Sequence, residues 1–227
     1  MPAFAVILPA AGQSTRFGGP RGKLLSDLGE ITVLRRAVRA FSARPDVALI
    51  VIAARNAEPV SEPKVTFAPG GASRAESVRS ALLRVPESIE WVAVHDAARP
   101  LVSQDLIDRT CAAALEHGAA VPALPVSLTI KQAIGPLPAR VERTVPRDRL
   151  WAMQTPQVMR RAALLDAFER CPIPLDQVTD DVQLLELAGQ EVWLVPGEER
   201  NIKITTPMDL RLAELLLREE GGGQKAE

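Results

Sequence analysis

Ala5-Val-Ile-Leu-Pro9, followed at once by Ala10-Ala-Gly-Gln-Ser-Thr-Arg16-Phe-Gly-Gly-Pro-Arg-Gly-Lys23, is the stretch whose reading decides the fold. A short apolar run without alternation fits a strand covered on both faces, because a strand with one face in water alternates polar and apolar residues. Three further runs of this kind are Ala48–Ala53, Trp91–His95 and Ala119–Ala123. Helical patterns lie between them. Thr32 can cap a helix through about Ala43, Ser73-Arg-Ala-Glu76 has the spacing of a capping box opening a helix through about Arg84, and Ser103 starts one through about His117. Thr206-Pro207-Met208-Asp209 supplies a capping hydroxyl, a first-turn proline and an early acid, and Leu210–Arg218 carries the apolar stripe of a closing helix. Strands alternating with helices imply right-handed βαβ units, hence a doubly wound α/β fold with a mainly parallel sheet and helices on both faces.

One stretch breaks the alternation. Ser127–Ile134 and Arg140–Val145, around Gly135-Pro-Leu-Pro138, read as a protruding β-arm over about 126–146. A two-stranded ribbon is marginal alone in water, so the arm predicts a homodimer formed through it. Residues 221–227, small and polar, are expected to form a disordered tail behind a single domain over 1–220.

Composition narrows the chemistry. The chain has 227 residues, 47% of them hydrophobic, which suits one domain with a real core. Lys+Arg of 27 against Asp+Glu of 28 gives a net charge of −1, so no general nucleic-acid binder is expected. The opening residues lack a basic stretch and a sustained apolar run, so no membrane partner is expected either. Cys111 and Cys171, 60 residues apart and without ligand-spaced partners, indicate neither a disulfide framework nor a zinc site. A reducing, cytoplasmic setting follows.

In a doubly wound sheet, ligands bind beyond the carboxyl ends of the strands, which directs attention to three loops. In Pro9–Lys23, small residues let backbone N–H groups approach a phosphate, and Arg16 and Lys23 can supply charge. Neither a Gly-x-Gly-x-x-Gly fingerprint nor a P-loop is present there. Gly70–Ser77 pairs two glycines with a capped helix start. His95-Asp96-Ala97-Ala98-Arg99-Pro100 ends a buried strand with an acid and a base; His95 itself reads as a satisfied structural residue.

Taken together, Ala10-Ala11-Gly12 with Arg16 and Lys23, Gly70–Val78, His95–Pro100, Arg143–Arg147, Leu150-Trp151, Thr155-Pro-Gln157, Thr179-Asp-Asp181 and Asn201–Thr205 resemble, in order, the 2-C-methyl-D-erythritol 4-phosphate cytidylyltransferase family. The resemblance implies a nucleotidyltransferase version of the fold and transfer of a cytidylyl group from CTP to a polyol phosphate in the non-mevalonate route to isoprenoids. It implies Arg16 and Lys23 as catalytic cations, and Ala10, Ala11, Gly12, Gly71, Ala72, Arg74 and Ser77 as the CTP site. Asp96, Arg99 and Lys203 would position the polyol phosphate, and Thr129 and Arg147 would reach from the arm into a partner's site. Thr155 and Thr179 are equally readable as hydroxyl contacts or as turn and cap residues. Asp180-Asp181 reads as a helix start rather than a metal pair. Magnesium is expected on the CTP phosphates, with no dedicated protein cage.

The chain departs from the pattern at Gly22-Lys23-Leu24, where the family usually has Pro-Lys-Gln, and at Val126-Ser-Leu-Thr129, where a basic-acidic pair is common before the threonine. Ribitol 5-phosphate cytidylyltransferase is the leading alternative, and a non-catalytic nucleotide-binding regulator comes from a different class. A metal-dependent glycosyltransferase would want an Asp-x-Asp at a strand end, which the sequence lacks.

Overall fold

A computed structural model describes residues 2–12, 14–18, 22–55, 60 and 62–223. In chain order the elements are β1 (Phe4–Pro9), β2 (Asp27–Leu28), β3 (Ile31–Thr32), α1 (Val33–Ser42), β4 (Val47–Ala54), β5 (Val65–Pro69), α2 (Arg74–Leu82), β6 (Trp91–Val94), α3 (Gln104–His117), β7 (Ala119–Pro125), β8 (Ile130–Ile134), β9 (Arg140–Val145), β10 (Trp151–Met153), β11 (Gln157–Arg160), α4 (Arg161–Glu169), α5 (Asp181–Leu187), β12 (Trp193–Pro196) and α6 (Pro207–Gly223).

The main sheet runs β5-β4-β1-β6-β11-β7, with β10 and β12 also paired to β7. β5, β4, β1 and β6 are mutually parallel, β12 is parallel to β7, and β10 and β11 run antiparallel to their neighbours. The sheet is therefore mainly parallel, as expected. Its burial explains the legibility of the four apolar runs. Along β1, Ala5 and Ile7 face a core shared with α2, α4 and α5, while Phe4, Val6 and Leu8 face one shared with α1 and α3. With both faces covered by helices, no position of β1 is left for a polar residue.

The caps are where the side-chain chemistry placed them. Thr32 accepts from Arg35 N, Ser103 accepts from Leu106 N, and Ser73 with Glu76 forms a full capping box. Asp180 caps α5 by accepting from Gln183 N, so this acidic pair does open a helix.

β10 and β11 share one edge of β7, because β12 pairs with Ala120 and Ala123 from the other side. Between the pairs Met153↔Ala123 and Val158↔Ala120, the incoming strand advances 158 − 153 = 5 residues while β7 advances 123 − 120 = 3. The two extra residues make a bulge at Gln154-Thr155-Pro156, which turns side chains out of the ladder.

Two sequence expectations need correction. The run Ile202-Lys-Ile-Thr205, which reads as β-like with Lys203 between apolar neighbours, forms no strand: it has no ladder, and Ile204 N donates to Ala98 O instead. α6 continues through Gly223, since extending an existing helix adds one hydrogen bond per residue ordered without a new nucleus. Residues 221–223 of the expected tail are thus helical, and 224–227 lie outside the described residues.

β8 and β9 form a separate two-stranded sheet, the expected arm. It is exposed along its length, with Leu137 87% and Leu128 74% accessible.

Candidate active site

The loops leaving β1, β4, β5 and β6 converge on a cleft of about 540 Å³ at the carboxyl ends of these parallel strands. Arg16 and Lys23 come from the loop after β1, Arg55 from the end of β4, Arg74 from the start of α2, and Lys203 from the irregular segment before α6. Asp96, just past β6, is the one carboxylate on the cleft wall among the described residues. The lining is therefore strongly positive, although the chain is almost neutral.

Two glycines allow the loops to meet. A Cβ on Gly70 would stand 2.3 Å from Ala11 Cβ, and one on Gly71 would stand 2.4 Å from Glu76 Cβ. Ser77 Oγ accepts from Gly71 N at 3.0 Å and donates to Ser73 O at 2.9 Å, and Glu76 accepts from Ala72 N at 2.6 Å. The N–H groups of Gly71 and Ala72 are thus donors within their own loop. A base edge read at these residues meets their carbonyls, or takes over one of those bonds.

Asp96 is the electrostatic hub of the far wall. Its carboxylate lies 2.8 Å from Lys203 Nζ, 3.2 Å from Arg74 Nε and 3.6 Å from Arg99 Nε. Burial by itself would raise its pKa, but the charges of Arg74, Lys203 and Arg99 outweigh burial and hold it well below the usual carboxylate range. Arg74 also reaches Asp181, fully buried at the start of α5, at 2.8 Å. Burial works against the Arg74 charge, yet Asp181 and Asp96 together raise its pKa above the ordinary guanidinium value. Lys23 is the opposite case. Desolvation and the like charge of Lys203 lower its pKa, and Asp96 offsets only part of this.

Not every residue expected at the site is found there. Ala10, Ala11, Gly12, Arg16, Lys23, Gly71, Ala72, Arg74, Ser77, Asp96 and Lys203 line the cleft. Arg99 does not: besides Asp96 it donates to Asn201 O at 2.6 Å and Met153 O at 3.3 Å, so its guanidinium braces the wall from behind. Thr155 is buried, and its hydroxyl accepts from Asp96 N at 3.1 Å and bonds His95 Nδ1 at 3.0 Å. This is the turn-closing alternative. Thr179, exposed, joins Gln183 at the start of α5. Thr129 and Arg147 lie on the exposed arm and just beyond it, where Arg147 donates to Ser127 O. None of these five lines the cleft of its own chain.

His95 is fully buried between Arg99 O and the Thr155 hydroxyl, and burial lowers its pKa to about 4. It is a neutral structural imidazole. Arg55 was missed in the sequence, although its position directly after a strand was a usable signal.

Fold and site define the class: an α/β protein whose parallel strands present a cation-lined cleft suited to a polyanion, without a P-loop or dinucleotide fingerprint. The family profile of 2-C-methyl-D-erythritol 4-phosphate cytidylyltransferase matches residues 4–219. The chain belongs to that family, and it is a cytidylyltransferase. It is 46% identical over 222 residues to the 2-C-methyl-D-erythritol 4-phosphate cytidylyltransferase of Symbiobacterium thermophilum, covering 95% of this chain and 93% of that one. The crystal structure of the Thermus thermophilus enzyme of that name superposes with a TM-score of 0.80 at 37% identity, covering 96% of this chain and 100% of the other. The Francisella tularensis enzyme does so with a TM-score of 0.83 at 32% identity, covering 94% and 99%.

Proposed function

We propose that this chain transfers a cytidylyl group from CTP to 2-C-methyl-D-erythritol 4-phosphate, giving 4-diphosphocytidyl-2-C-methyl-D-erythritol and pyrophosphate, a step of isoprenoid biosynthesis. The observation that carries the reading is the convergence of Arg16, Lys23, Arg74 and Lys203 in one cleft of a family member, with Asp96 pairing the last two.

A phosphate oxygen of the polyol attacks the α-phosphorus of CTP. The new O–P bond forms as the bond to the β-phosphate oxygen breaks, and its electrons leave with pyrophosphate. Negative charge concentrates on the non-bridging oxygens and on the leaving group, where fixed cations stabilise it without reorganising. Arg16 and Lys23 take that role. The depressed pKa of Lys23 supports it: the lysine is already desolvated and held against like charge, so an incoming triphosphate relieves a strain present in the free protein.

Lys203 holds the phosphate of the methylerythritol substrate, and Asp96 sets the Lys203 ammonium and can accept a polyol hydroxyl. Gly71, Ala72 and Ser77 frame the cytosine. Among the described residues no three His, Cys, Asp or Glu side chains cluster as a metal cage, and Asp96 alone offers a carboxylate to the cleft. That donor set fits a magnesium ion keeping its waters on phosphates held by Arg16 and Lys23, with at most one protein oxygen. When bound, it would neutralise the pyrophosphate.

The arm favours a homodimer. Leu128 and Leu137 on it are largely exposed, and Trp151 and Met153 on β10 are partly so, which suits burial against a second copy. In that dimer Thr129 and Arg147 complete the partner's site. Among the described residues no helix is long and apolar enough to cross a membrane. The thiols of Cys111 and Cys171 are free, which agrees with a cytoplasmic setting.

The test is pyrophosphate release from CTP and magnesium with methylerythritol 4-phosphate and ribitol 5-phosphate in parallel, and UTP as control. Turnover with CTP and the methylerythritol substrate is expected. Preference for ribitol phosphate would reassign the acceptor, and silence with both would leave a nucleotide-binding regulator.

A further inference from the structure

Lys203 stands on a stretch without helix or strand, so something other than a backbone ladder must fix it. On its carboxyl side, Asp209 accepts from Thr205 N and Thr206 N, both at 2.8 Å. On its amino side two buried side chains hold the segment: Arg99 donates to Asn201 O, and Gln154 bonds both Glu198 and Asn201. The Gln154 carbonyl Oε1 accepts from Glu198 N at 3.1 Å and Asn201 Nδ2 at 3.3 Å, and its Nε2 donates to Glu198 O at 2.7 Å and Asn201 O at 3.5 Å. A primary amide has two acceptor and two donor positions. Here all four engage two residues that begin five positions and end two positions before Lys203.

The surroundings are built for this side chain. Gln154 belongs to the bulge between β10 and β11, and its own N–H is pinned to Pro122 O of β7 at 2.7 Å. Gly197 N donates to Ala123 O, the next residue of β7, and a Cβ on Gly197 would stand 2.8 Å from Gln154 Oε1. Asn201 Nδ2 also donates to Thr155 O at 2.9 Å. The neighbouring Thr155 hydroxyl receives Asp96 N, so the same bulge sets both members of the Lys203–Asp96 pair.

We propose that Gln154 is a positioning residue for Lys203: its amide sets the path of residues 198–201 and thereby the place where the ammonium meets the polyol phosphate. The proposal rests on the reading of Lys203 as the ligand of that phosphate.

The experiment compares Gln154→Leu, Lys203→Ala and the double variant by steady-state kinetics with both substrates varied, with thermal melting alongside. Gln154→Leu is expected to raise the KM for methylerythritol 4-phosphate by about tenfold or more, while the KM for CTP moves less than about twofold. In the Lys203→Ala background the same change should add little, because two residues acting through one contact are not additive. Gln154→Glu should lose activity at neutral pH, where its carboxylate would face two carbonyls, and regain it as the pH falls and the carboxyl becomes a donor.

If Gln154→Leu is not recovered folded, Gln154→Asn, one methylene shorter, carries the same comparison with a smaller expected rise. An unchanged polyol KM in a folded Gln154 variant, or an effect that multiplies undiminished on Lys203→Ala, overturns the proposal. An unchanged polyol KM in Lys203→Ala itself overturns the reading of Lys203, and the proposal with it.

Discussion

The two walls of the cleft are electrostatic opposites. On one, Asp96 gathers Arg74, Arg99 and Lys203, and Asp181 closes the chain behind Arg74, so every cation there has an anion before any ligand arrives. On the other, Lys23 sits desolvated beside the like charges of Lys203 and Arg16. The difference separates two tasks. A wall whose cations are already ion-paired keeps its geometry without ligand and can position, whereas a wall with unpaired charge gains most when a polyanion enters and can bind and stabilise a transition state.

The largest effect should come from breaking the ion-paired wall. Asp96→Asn leaves three cations without their shared anion, and removing one partner of a buried ion pair typically costs about 3–5 kcal/mol. Urea denaturation should show such a loss together with collapse of turnover. A stable, active Asp96→Asn protein would mean the wall is not held by this hub.

On the charged wall the effect should fall on rate and spare stability. Arg16→Ala or Lys23→Ala should lower kcat/KM by about 100-fold or more, as losing a preorganised donor commonly does, with the melting midpoint of the free protein unchanged or higher. A clear drop in that midpoint would show that these cations also support the fold.

Acid sharpens the comparison from behind the ion-paired wall. Burial lowers the His95 pKa to about 4, below its unfolded value near 6.5. Between these values the unfolded chain binds more protons than the folded one, so stability rises with pH across this window. The folded protein should lose on the order of 3 kcal/mol as pH falls from 6.5 to 4, measurable by denaturant titration at several pH values. A flat profile would place a charged imidazole in the core.

The smallest effect lies at alkaline pH. Since the Lys23 pKa is lowered, the protonated amine that binds phosphate is lost at a lower pH than for an ordinary lysine. The kcat/KM for CTP should decline on that limb, and Lys23→Arg, if active, should shift the decline upward. An unmoved limb would assign it to another group.

How far the sequence carried the reading follows from where the information lies. β1, β4, β6 and β7 were legible because both faces are buried and the residues say so without context. β10 and β12 were not, because Trp151, Met153, Trp193 and Leu194 are exposed on strands of three and four residues, too short to show a period. At the site, backbone-driven features were readable: the capping box at Ser73, the small residues at 10–12, the acid after β6. The direction of a long side chain was not. Arg99 and Lys203 look alike as cations beside a cleft, yet Arg99 turns to carbonyls 54 and 102 residues away in the chain, and local sequence holds no trace of those partners. Gln154 was unreadable for the same reason, since only the bulge that presents it gives its amide a task.

The capping box of α2 carries a last consequence. Ser73 and Arg74 both line the cleft, so the amino end of this helix opens on it. The aligned peptide dipoles place roughly half a positive charge there. Unlike a lysine, that fraction binds no proton, and alkali cannot remove it. Part of the pull on a nucleotide, like that of the guanidinium groups of Arg16, Arg55 and Arg74, should therefore persist after Lys23 has been neutralised, and anion binding should level off at high pH where catalysis continues to fall.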